Sequence, residues 1–265
     1  MTVALNHRIT GEGPPLILLH GLFGSLDNLG GIARRLEDQW QIHALDERNH
    51  GSSPHSDIMD YPAMAEDVIA YMDAQGLDKV SLLGHSMGGK VAMQVALKVP
   101  ERVDKLIVAD IAPVSYKPRH DAILEGLTGM DLTDVRSRQD ADTLMANFVE
   151  EPGVRQFLLK NLERIPREEQ QEGGAMFRWR LNLPVIDACY ENLARAPEGD
   201  GPFEGPVLFL KGAESAYIQE KHRDDIQRLF PQAQLRIIQG TGHWLHAEKA
   251  DSFAALCRRF LSADE

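Results

Sequence analysis

Cysteine is scarce in this sequence, and long apolar runs are absent. Only two cysteines occur among 265 residues, Cys189 and Cys257, and both lie in apolar helical patterns. This usage argues against a disulfide framework and for two thiols in a reducing compartment. No apolar run reaches the length of a membrane span. Residues 1–8 lack the apolar segment and cleavage site of a secretory signal. We therefore expect a cytoplasmic protein with no membrane partner.

The sequence also has fewer basic than acidic residues. The sequence holds 40 acidic and 28 basic residues, which gives a net charge of −12. No basic tract offsets the acidic excess, so a nucleic-acid partner or an anionic surface is not expected. A chain of this length can bury a sizeable core as one domain, or as one domain with a substantial insertion. We expect a monomer or a weak homodimer.

Apolar runs alternate with helical patterns through the first 110 residues and again near the end. Most of these runs are apolar throughout, which is typical of parallel strands buried on both faces. The runs predicted to be strands are residues 16–20, 41–46, 80–83, 104–110, 206–212 and 234–239. Residues 3–10 are predicted to add an antiparallel edge strand. The alternation predicts an α/β fold with a mostly parallel central sheet flanked by helices.

The alternation stops between residues 112 and 197. Four apolar stripes at helical spacing occur in this block, and stretches rich in proline border it on both sides. We expect a helical cap of residues 112–197, inserted after the strand that ends at Asp110. The cap would fold over the carboxyl edge of the sheet, where open α/β sheets place their sites. Residues 1–111 and 198–265 would then form the α/β core.

A Gly-x-Ser-x-Gly motif, residues 84–88, lies between one predicted strand and the helix that follows it. Strand, tight turn and helix form a nucleophile elbow, in which the turn lifts the serine hydroxyl clear of the sheet. Gly84 and Gly88 have no Cβ, so the strand and helix can approach closely beside Ser86. The bare pentapeptide would arise by chance in roughly one chain in ten of this length. Its flanking patterns favour Ser86 as a nucleophile.

A serine nucleophile needs a base within hydrogen-bond reach, and a third group must orient that base. In a fold of this kind the chain order is nucleophile, acid, histidine. His243 follows the last predicted strand in a glycine-rich loop, so it is the predicted base. His246 lies at the start of the next helix, where a structural hydrogen bond is the expected role.

The acid has two candidates. The place just past the strand that ends at Gly212 is the common one, but Ser215 appears there, with Glu214 beside it. Asp110 ends the neighbouring strand and would approach the same edge of the sheet, so we favour Asp110 over Glu214. A turn-capping aspartate before Pro113 is the alternative role for Asp110.

Acyl transfer also needs two N–H donors for the developing oxyanion. Met87 follows the nucleophile and is expected to supply one, and the loop after His20 is expected to supply the other. Leu22 is the preferred residue in that loop, and Phe23 is the alternative. No His-Glu-x-x-His motif and no dinucleotide-binding glycine spacing occurs, so we expect no metal and no cofactor.

These motifs together resemble the α/β-hydrolase superfamily. The residues that carry the resemblance are 20–24, 84–88 and 242–244. Further stretches are similar to the bacterial YbfF-type esterases and related abhydrolase-domain proteins; they are residues 22–30, 48–51, 85–90, 110–113, 242–244 and 246–249. The resemblance covers essentially the whole chain. It implies the α/β-hydrolase fold with a helical cap, and it supports Asp110 as the acid.

The resemblance also implies an activity. It is that of a serine hydrolase acting on a small-molecule substrate, a short- to medium-chain acyl ester, with acyl-CoA thioesters as a further candidate. Two other functions stay open. The same site can cleave C–C bonds or catalyse perhydrolysis, because fold does not settle chemistry. A ligand-binding protein could also use the fold, although it would not need Ser86, Asp110 and His243 together.

Overall fold

The strands of this chain form one large sheet and one small one. The computed structural model describes residues 1–171 and 174–263; residues 172–173, inside the predicted cap, and residues 264–265 lie outside the described part. The strands are β1 His7–Thr10, β2 Pro15–Leu19, β3 Gln41–Leu45, β4 Val80–His85, β5 Val103–Ala109, β6 Leu162–Arg164, β7 Phe177–Trp179, β8 Val207–Gly212 and β9 Ala233–Ile238.

The large sheet has the order β1-β3-β2-β4-β5-β8-β9. Strand β1 runs antiparallel to β3, and the other neighbouring pairs are parallel. The predicted mostly parallel sheet with an antiparallel edge strand is therefore confirmed. The edge strand is shorter than predicted, because the amides of Val3 and Asn6 bond to the side chains of Asp67 and Ser53 instead of joining a ladder.

Helices cover both faces of the large sheet and make up much of the chain between β5 and β8. Their bounds are α1 Gly30–Leu36, α2 Tyr61–Ala74, α3 Met87–Lys98, α4 Asp121–Thr128, α5 Arg138–Met145, α6 Pro152–Leu159, α7 Leu183–Ala188, α8 Tyr190–Ala194, α9 Arg223–Leu229, α10 Leu245–Glu248 and α11 Ala250–Leu261. Helices α2 and α3 pack in one apolar cluster, and α1 and α11 pack in another. None of the helices in the described ranges is long and apolar enough to cross a bilayer.

The segment between β5 and β8 carries α4 to α8 and the antiparallel pair β6–β7. Part of it has an apolar cluster of its own, which includes Val135, Leu159 and Leu162. It also contacts the core directly: Asn161 Nδ2 donates to the carbonyl of Phe23 at 2.7 Å. This segment, called the cap segment below (residues 112–197), leaves the sheet just after β5. Several of its side chains line the same cavity as the candidate site residues Ser86 and His243.

Candidate active site

Ser86 lies in a sharp turn between β4 and α3. Its backbone has φ 52° and ψ −115°, a sparsely populated conformation that stores strain in a residue with a Cβ. A Cβ added to Gly84 would lie 2.1 Å from the carbonyl oxygen of Gly88, and one added to Gly88 would lie 2.3 Å from that of Leu19. Both glycines are therefore required by close backbone approach. The Ser86 amide donates to the carbonyl of Ala109 at 3.0 Å, which fixes the turn to β5.

His243 lies in the loop after β9, and it bridges the other two predicted residues. Its Nε2 atom is 3.0 Å from Ser86 Oγ, and its Nδ1 atom is 2.8 Å from Asp110 Oδ2. A carboxylate accepts hydrogen bonds, so Nδ1 carries the hydrogen and Nε2 is free to accept the serine proton. This geometry provides a hydroxyl, a base and a group that holds the base in one tautomer.

Asp110 is fully buried directly after β5. Its backbone has φ 53°, a left-handed conformation that aspartate tolerates better than most residues. Its amide donates to the carbonyl of Leu210 at 2.8 Å, and its Oδ1 accepts from the amide of Gly212 at 3.0 Å. The carboxylate therefore bonds across to the β8 loop rather than capping the turn before Pro113. Glu214 is exposed, and Asp110 is the acid that contacts the imidazole.

The two residues predicted to supply N–H donors, Leu22 and Met87, line a small pocket together with Ser86. Phe23 is the alternative to Leu22, but its amide already donates to His50 Nε2 at 3.1 Å. His50 can accept there because its Nδ1 atom donates to the carbonyl of Arg48, and burial lowers the pKa of His50 to about 3. Within the described ranges, the amides of Leu22 and Met87 donate to no protein acceptor. The geometry therefore favours Leu22 over Phe23 as a donor toward a bound oxygen.

Sequence reasoning missed two contacts of His243. The ring of Tyr217 stacks on the imidazole, with ring centroids 4.1 Å apart and planes at 26°. His85 Nε2 donates to the backbone carbonyl of His243 at 2.8 Å, and burial lowers the pKa of His85 well below its usual value. Both contacts join segments far apart in the chain, so no local pattern could have indicated them.

His246 does not make the expected structural hydrogen bond through Nδ1. That buried atom has no partner among the described residues. The ring instead packs against His85, with ring centroids 4.3 Å apart, and against Phe253. Burial lowers the pKa of His246 to about 3, so the ring is neutral at physiological pH and can pack in an apolar setting.

A cavity of about 620 Å³ opens in front of Ser86 and His243. Its far walls are mostly apolar side chains of the cap segment and of the His243 loop: Ile123, Phe148, Val149, Val154, Phe157, Leu158 and Trp244. A much smaller pocket of about 50 Å³ lies on another side of Ser86, beside Met87 and Lys90. A concave apolar cavity with a few converging polar groups is the usual form of a small-molecule site. In residues 1–171 and 174–263, no three His, Cys, Asp or Glu side chains are grouped to hold a metal ion.

Known proteins are similar to this chain over almost its whole length. Residues 14–250 match the family model described as alpha/beta hydrolase fold. The chain is 43% identical over 249 residues to Esterase YbfF of Escherichia coli (strain K12), covering 94% of this chain and 93% of that protein. It is also 43% identical over 260 residues to sn-1-specific diacylglycerol lipase ABHD11 of Xenopus laevis, covering 95% and 81%.

A solved structure agrees with the sequence comparison. The chain superposes on a marine microorganism esterase with a TM-score of 0.92 and 40% identity, over 98% of this chain and 100% of that one. The fold, the glycine-bounded serine turn and the similarity over the whole length all lead to one conclusion. This chain belongs to the α/β hydrolase family.

Proposed function

We propose that this protein is a serine esterase that hydrolyses short- to medium-chain acyl esters through an acyl-enzyme intermediate. The observation that carries the proposal is the pair of contacts at His243, 3.0 Å to Ser86 Oγ and 2.8 Å to Asp110 Oδ2. Relatives that are named esterase and diacylglycerol lipase, and a structural neighbour that is an esterase, support carboxylic-ester hydrolysis.

In the first half of the reaction, Ser86 Oγ attacks the ester carbonyl carbon while its proton passes to His243 Nε2. The carbonyl oxygen becomes negatively charged, and the amides of Leu22 and Met87 donate to it. Asp110 accepts from Nδ1–H throughout, which holds the imidazole in place while it is positively charged. The tetrahedral intermediate then expels the alcohol, which takes the proton from His243, and the acyl group stays on Ser86.

In the second half, water replaces the alcohol. His243 Nε2 takes a proton from the water as its oxygen attacks the acyl carbon, and the same two amides hold the oxyanion. Collapse of this intermediate breaks the bond to Ser86 Oγ, which recovers its proton from His243. The carboxylic acid leaves, and the site returns to its starting state.

The cavity walls indicate the kind of substrate. The apolar side chains of the cap segment suit an acyl chain or an alcohol of modest size, because they offer no partner for a charged group. Glu150 and Glu151 also line this cavity, and their carboxylates would repel the phosphates of coenzyme A. Acyl-CoA thioesters can be attacked in the same way, but we expect neutral esters to be preferred.

Hydrolysis of p-nitrophenyl esters from acetate to palmitate tests this proposal, with acyl-CoA thioesters measured alongside. We expect kcat/KM to be highest for a short or medium chain and to fall for palmitate, because the cavity of about 620 Å³ limits the length of the acyl chain. Ser86→Ala should lower kcat by about 10⁴-fold or more. Turnover retained by folded Ser86→Ala, or none by the folded wild type, would contradict the proposal.

A further inference from the structure

His120 is a histidine of the cap segment that lies directly before α4. It lines both spaces beside Ser86, the large cavity and the small pocket. The side chain is half-buried, and its ring meets the ring of Phe23 edge-on, with centroids 6.0 Å apart. The reaction described above gives this imidazole no role, although it borders the same two spaces as the nucleophile.

The contacts of Tyr190 determine which nitrogen of His120 carries the hydrogen. Burial lowers the pKa of His120 to about 4, so the ring is neutral near pH 7 and has one N–H group. Tyr190 Oη accepts from the backbone amides of Arg119 and His120, each at 3.1 Å, and it lies 2.5 Å from His120 Nδ1. Because this oxygen already accepts two hydrogen bonds, its own proton is donated to Nδ1. The hydrogen of the ring is therefore on Nε2.

The Nε2–H group of His120 donates to no acceptor in residues 1–171 and 174–263. It is not sealed inside the protein either, because the enclosed side-chain atoms without a partner in these ranges belong to Glu47, Asn49 and His246. The open spaces that His120 lines are the large cavity and the small pocket. A donor held in one tautomer at the wall of such a cavity is available to a bound molecule.

The surroundings of His120 favour an uncharged acceptor. Glu150 and Glu151 line the large cavity and would repel an anion. The basic side chains of Lys117 and Arg119 line the small pocket instead. Most other walls of the large cavity are apolar, so a substrate oxygen that enters it loses water and needs a donor such as Nε2–H. A hydrocarbon chain in the same place would leave Nε2–H without a partner, which disfavours that substrate.

We propose that His120 is a substrate-binding residue of the esterase, and this inference rests on the proposed function. Its Nε2–H donates to a second, uncharged oxygen of the substrate, an ether, hydroxyl or carbonyl oxygen a few bonds away from the ester group. The preferred substrate is therefore an ester of an oxygen-bearing acid or alcohol, which His120 distinguishes from a plain hydrocarbon ester. Tyr190 supports this role by keeping the hydrogen of His120 on Nε2.

Matched pairs of esters that differ by one oxygen test this inference. On the acyl side, p-nitrophenyl methoxyacetate is compared with p-nitrophenyl butyrate. On the alcohol side, 2-methoxyethyl butyrate is compared with butyl butyrate. In each pair an ether oxygen replaces one CH₂ group, and the ratio of the two kcat/KM values is measured. The ratio cancels any general loss of activity, and comparison of a variant with wild type cancels the intrinsic reactivity of the esters.

His120→Phe keeps an aromatic ring but has no N–H group. The ratio should fall about fivefold in at least one pair, the usual effect of losing one uncharged hydrogen bond. His120→Gln carries an amide NH₂ group near the position of Nε2 and should restore most of the ratio. His120→Asn carries its amide near the position of Nδ1 and should behave like His120→Phe. His7→Phe, at an exposed histidine of β1, should keep the wild-type ratio.

Circular dichroism and the melting temperature verify folding for every variant. A fall in the acyl pair assigns the oxygen to the acid, and a fall in the alcohol pair assigns it to the alcohol; either result supports the inference. Ratios within twofold of wild type in both pairs for folded His120→Phe would overturn it, even if overall activity fell. A ratio in His120→Gln as low as in His120→Phe would also overturn it, because the donor would then not be the cause. Absence of turnover of all four esters by folded wild type would instead count against the proposed function itself.

Discussion

At the scale of single residues, Ser86 depends on neighbours that have almost no side chain. Its strained backbone persists because the strand and helix beside it meet at Gly84 and Gly88, where a Cβ would lie within 2.3 Å of a carbonyl oxygen. Ser86 lines the large cavity, and the amide of the next residue, Met87, donates to no protein acceptor among the described residues. A single turn thus carries both the predicted nucleophile and one predicted oxyanion donor.

Asp110→Asn should lower kcat by about 10³- to 10⁴-fold, because the amide can present its NH₂ group to His243 and favour the wrong tautomer. Asparagine suits the left-handed backbone of position 110, so the variant should fold. Glu214→Gln is the matched control at the other candidate acid and should keep near-normal activity. The reverse pattern in steady-state kinetics would assign the role to Glu214.

Glu47 is a buried carboxyl group outside the candidate site, and it tests how burial changes the pKa of an acid. It is 2% exposed, and neither carboxyl oxygen has a partner in the described residues. Burial raises its pKa well above the ordinary value of 4.5, so the folded protein holds a proton that the unfolded chain releases above that pH. This coupling means that the free energy of unfolding falls as pH rises above 4.5 toward the folded-state pKa.

In Glu47→Gln the side chain at this position no longer binds or releases a proton. The variant should match wild type near pH 4 and become more stable than wild type toward neutral pH. The gain in melting temperature should be about 2–4 °C for each kcal/mol of stabilisation. Thermal melts from pH 4 to pH 8 measure it, with Glu12→Gln as an exposed control. A difference that does not vary with pH would show that ionisation of Glu47 is not its cause.

The sequence indicated the site residues that belong to local patterns. Ser86 and Met87 follow from the elbow motif, and His243 follows from its place after the last strand. Asp110 required an argument about neighbouring strands, and Leu22 was preferred to Phe23 without a pattern that decided between them. His50 decides between them, because its Nε2 atom accepts the hydrogen bond of the Phe23 amide. The two residues are 27 positions apart, so this contact exists only in the folded chain.

At the scale of secondary-structure elements, the strands were easier to predict than the helix starts. Buried parallel strands read as continuous apolar runs, so their positions followed directly from the sequence. The first helix, α1, starts at Gly30, directly after a 3-10 turn at Leu26–Leu29. The Asn28 side chain accepts from the amide of Ser25 at 2.6 Å, which stabilises the tighter turn.

The sequence pattern predicted helices in the cap segment, but it did not indicate which residues attach this segment to the core. Lys90, on the buried helix α3, forms one of these attachments. Its Nζ donates to the carbonyl of Ala194 at 3.2 Å and to that of Arg195, at the end of the cap segment. Tyr61 adds a second one, with its hydroxyl 2.6 Å from the carbonyl of Leu193. No sequence pattern pairs a lysine with carbonyls about a hundred residues away.

Lys90 also gives the protein a measurable pH dependence. Burial lowers its pKa from 10.5 to about 7, so between these values the unfolded chain binds a proton that the folded protein does not. The free energy of unfolding should therefore rise with pH in this window, by at most about 1.4 kcal/mol per pH unit.

Lys90→Met has no amine at this position, so its free energy of unfolding should lack this rise with pH. Urea unfolding at pH 7 to pH 9.5 should show the stability of wild type increasing relative to the variant as pH rises. Lys160→Met, at an exposed lysine in the cap segment, should follow wild type. If the free energies of unfolding of wild type and Lys90→Met changed with pH in parallel, this would contradict the loss of a proton by the buried amine.

At the scale of the whole molecule, the sheet order explains why distant residues meet. Strands β4, β5 and β8 are neighbours and parallel, so Ser86, Asp110 and Ser215 all follow strand ends at the same edge. The loop after β9 brings His243 to that edge, and side chains of the cap segment line the cavity in front of it. Two apolar clusters, one on each face of the large sheet, hold the strands and helices together, and a third lies within the cap segment.

The central claim is that Ser86 is the nucleophile, and covalent labelling tests it most directly. The protein is incubated with a p-nitrophenyl alkylphosphonate, and the labelled peptide is identified by mass spectrometry while hydrolysis of p-nitrophenyl butyrate is followed. We predict one phosphonyl group per chain, on Ser86, with activity lost in proportion to labelling and no label in Ser86→Ala. Labelling of another residue in step with the loss of activity, or hydrolysis that persists when Ser86 is fully labelled, would contradict the account.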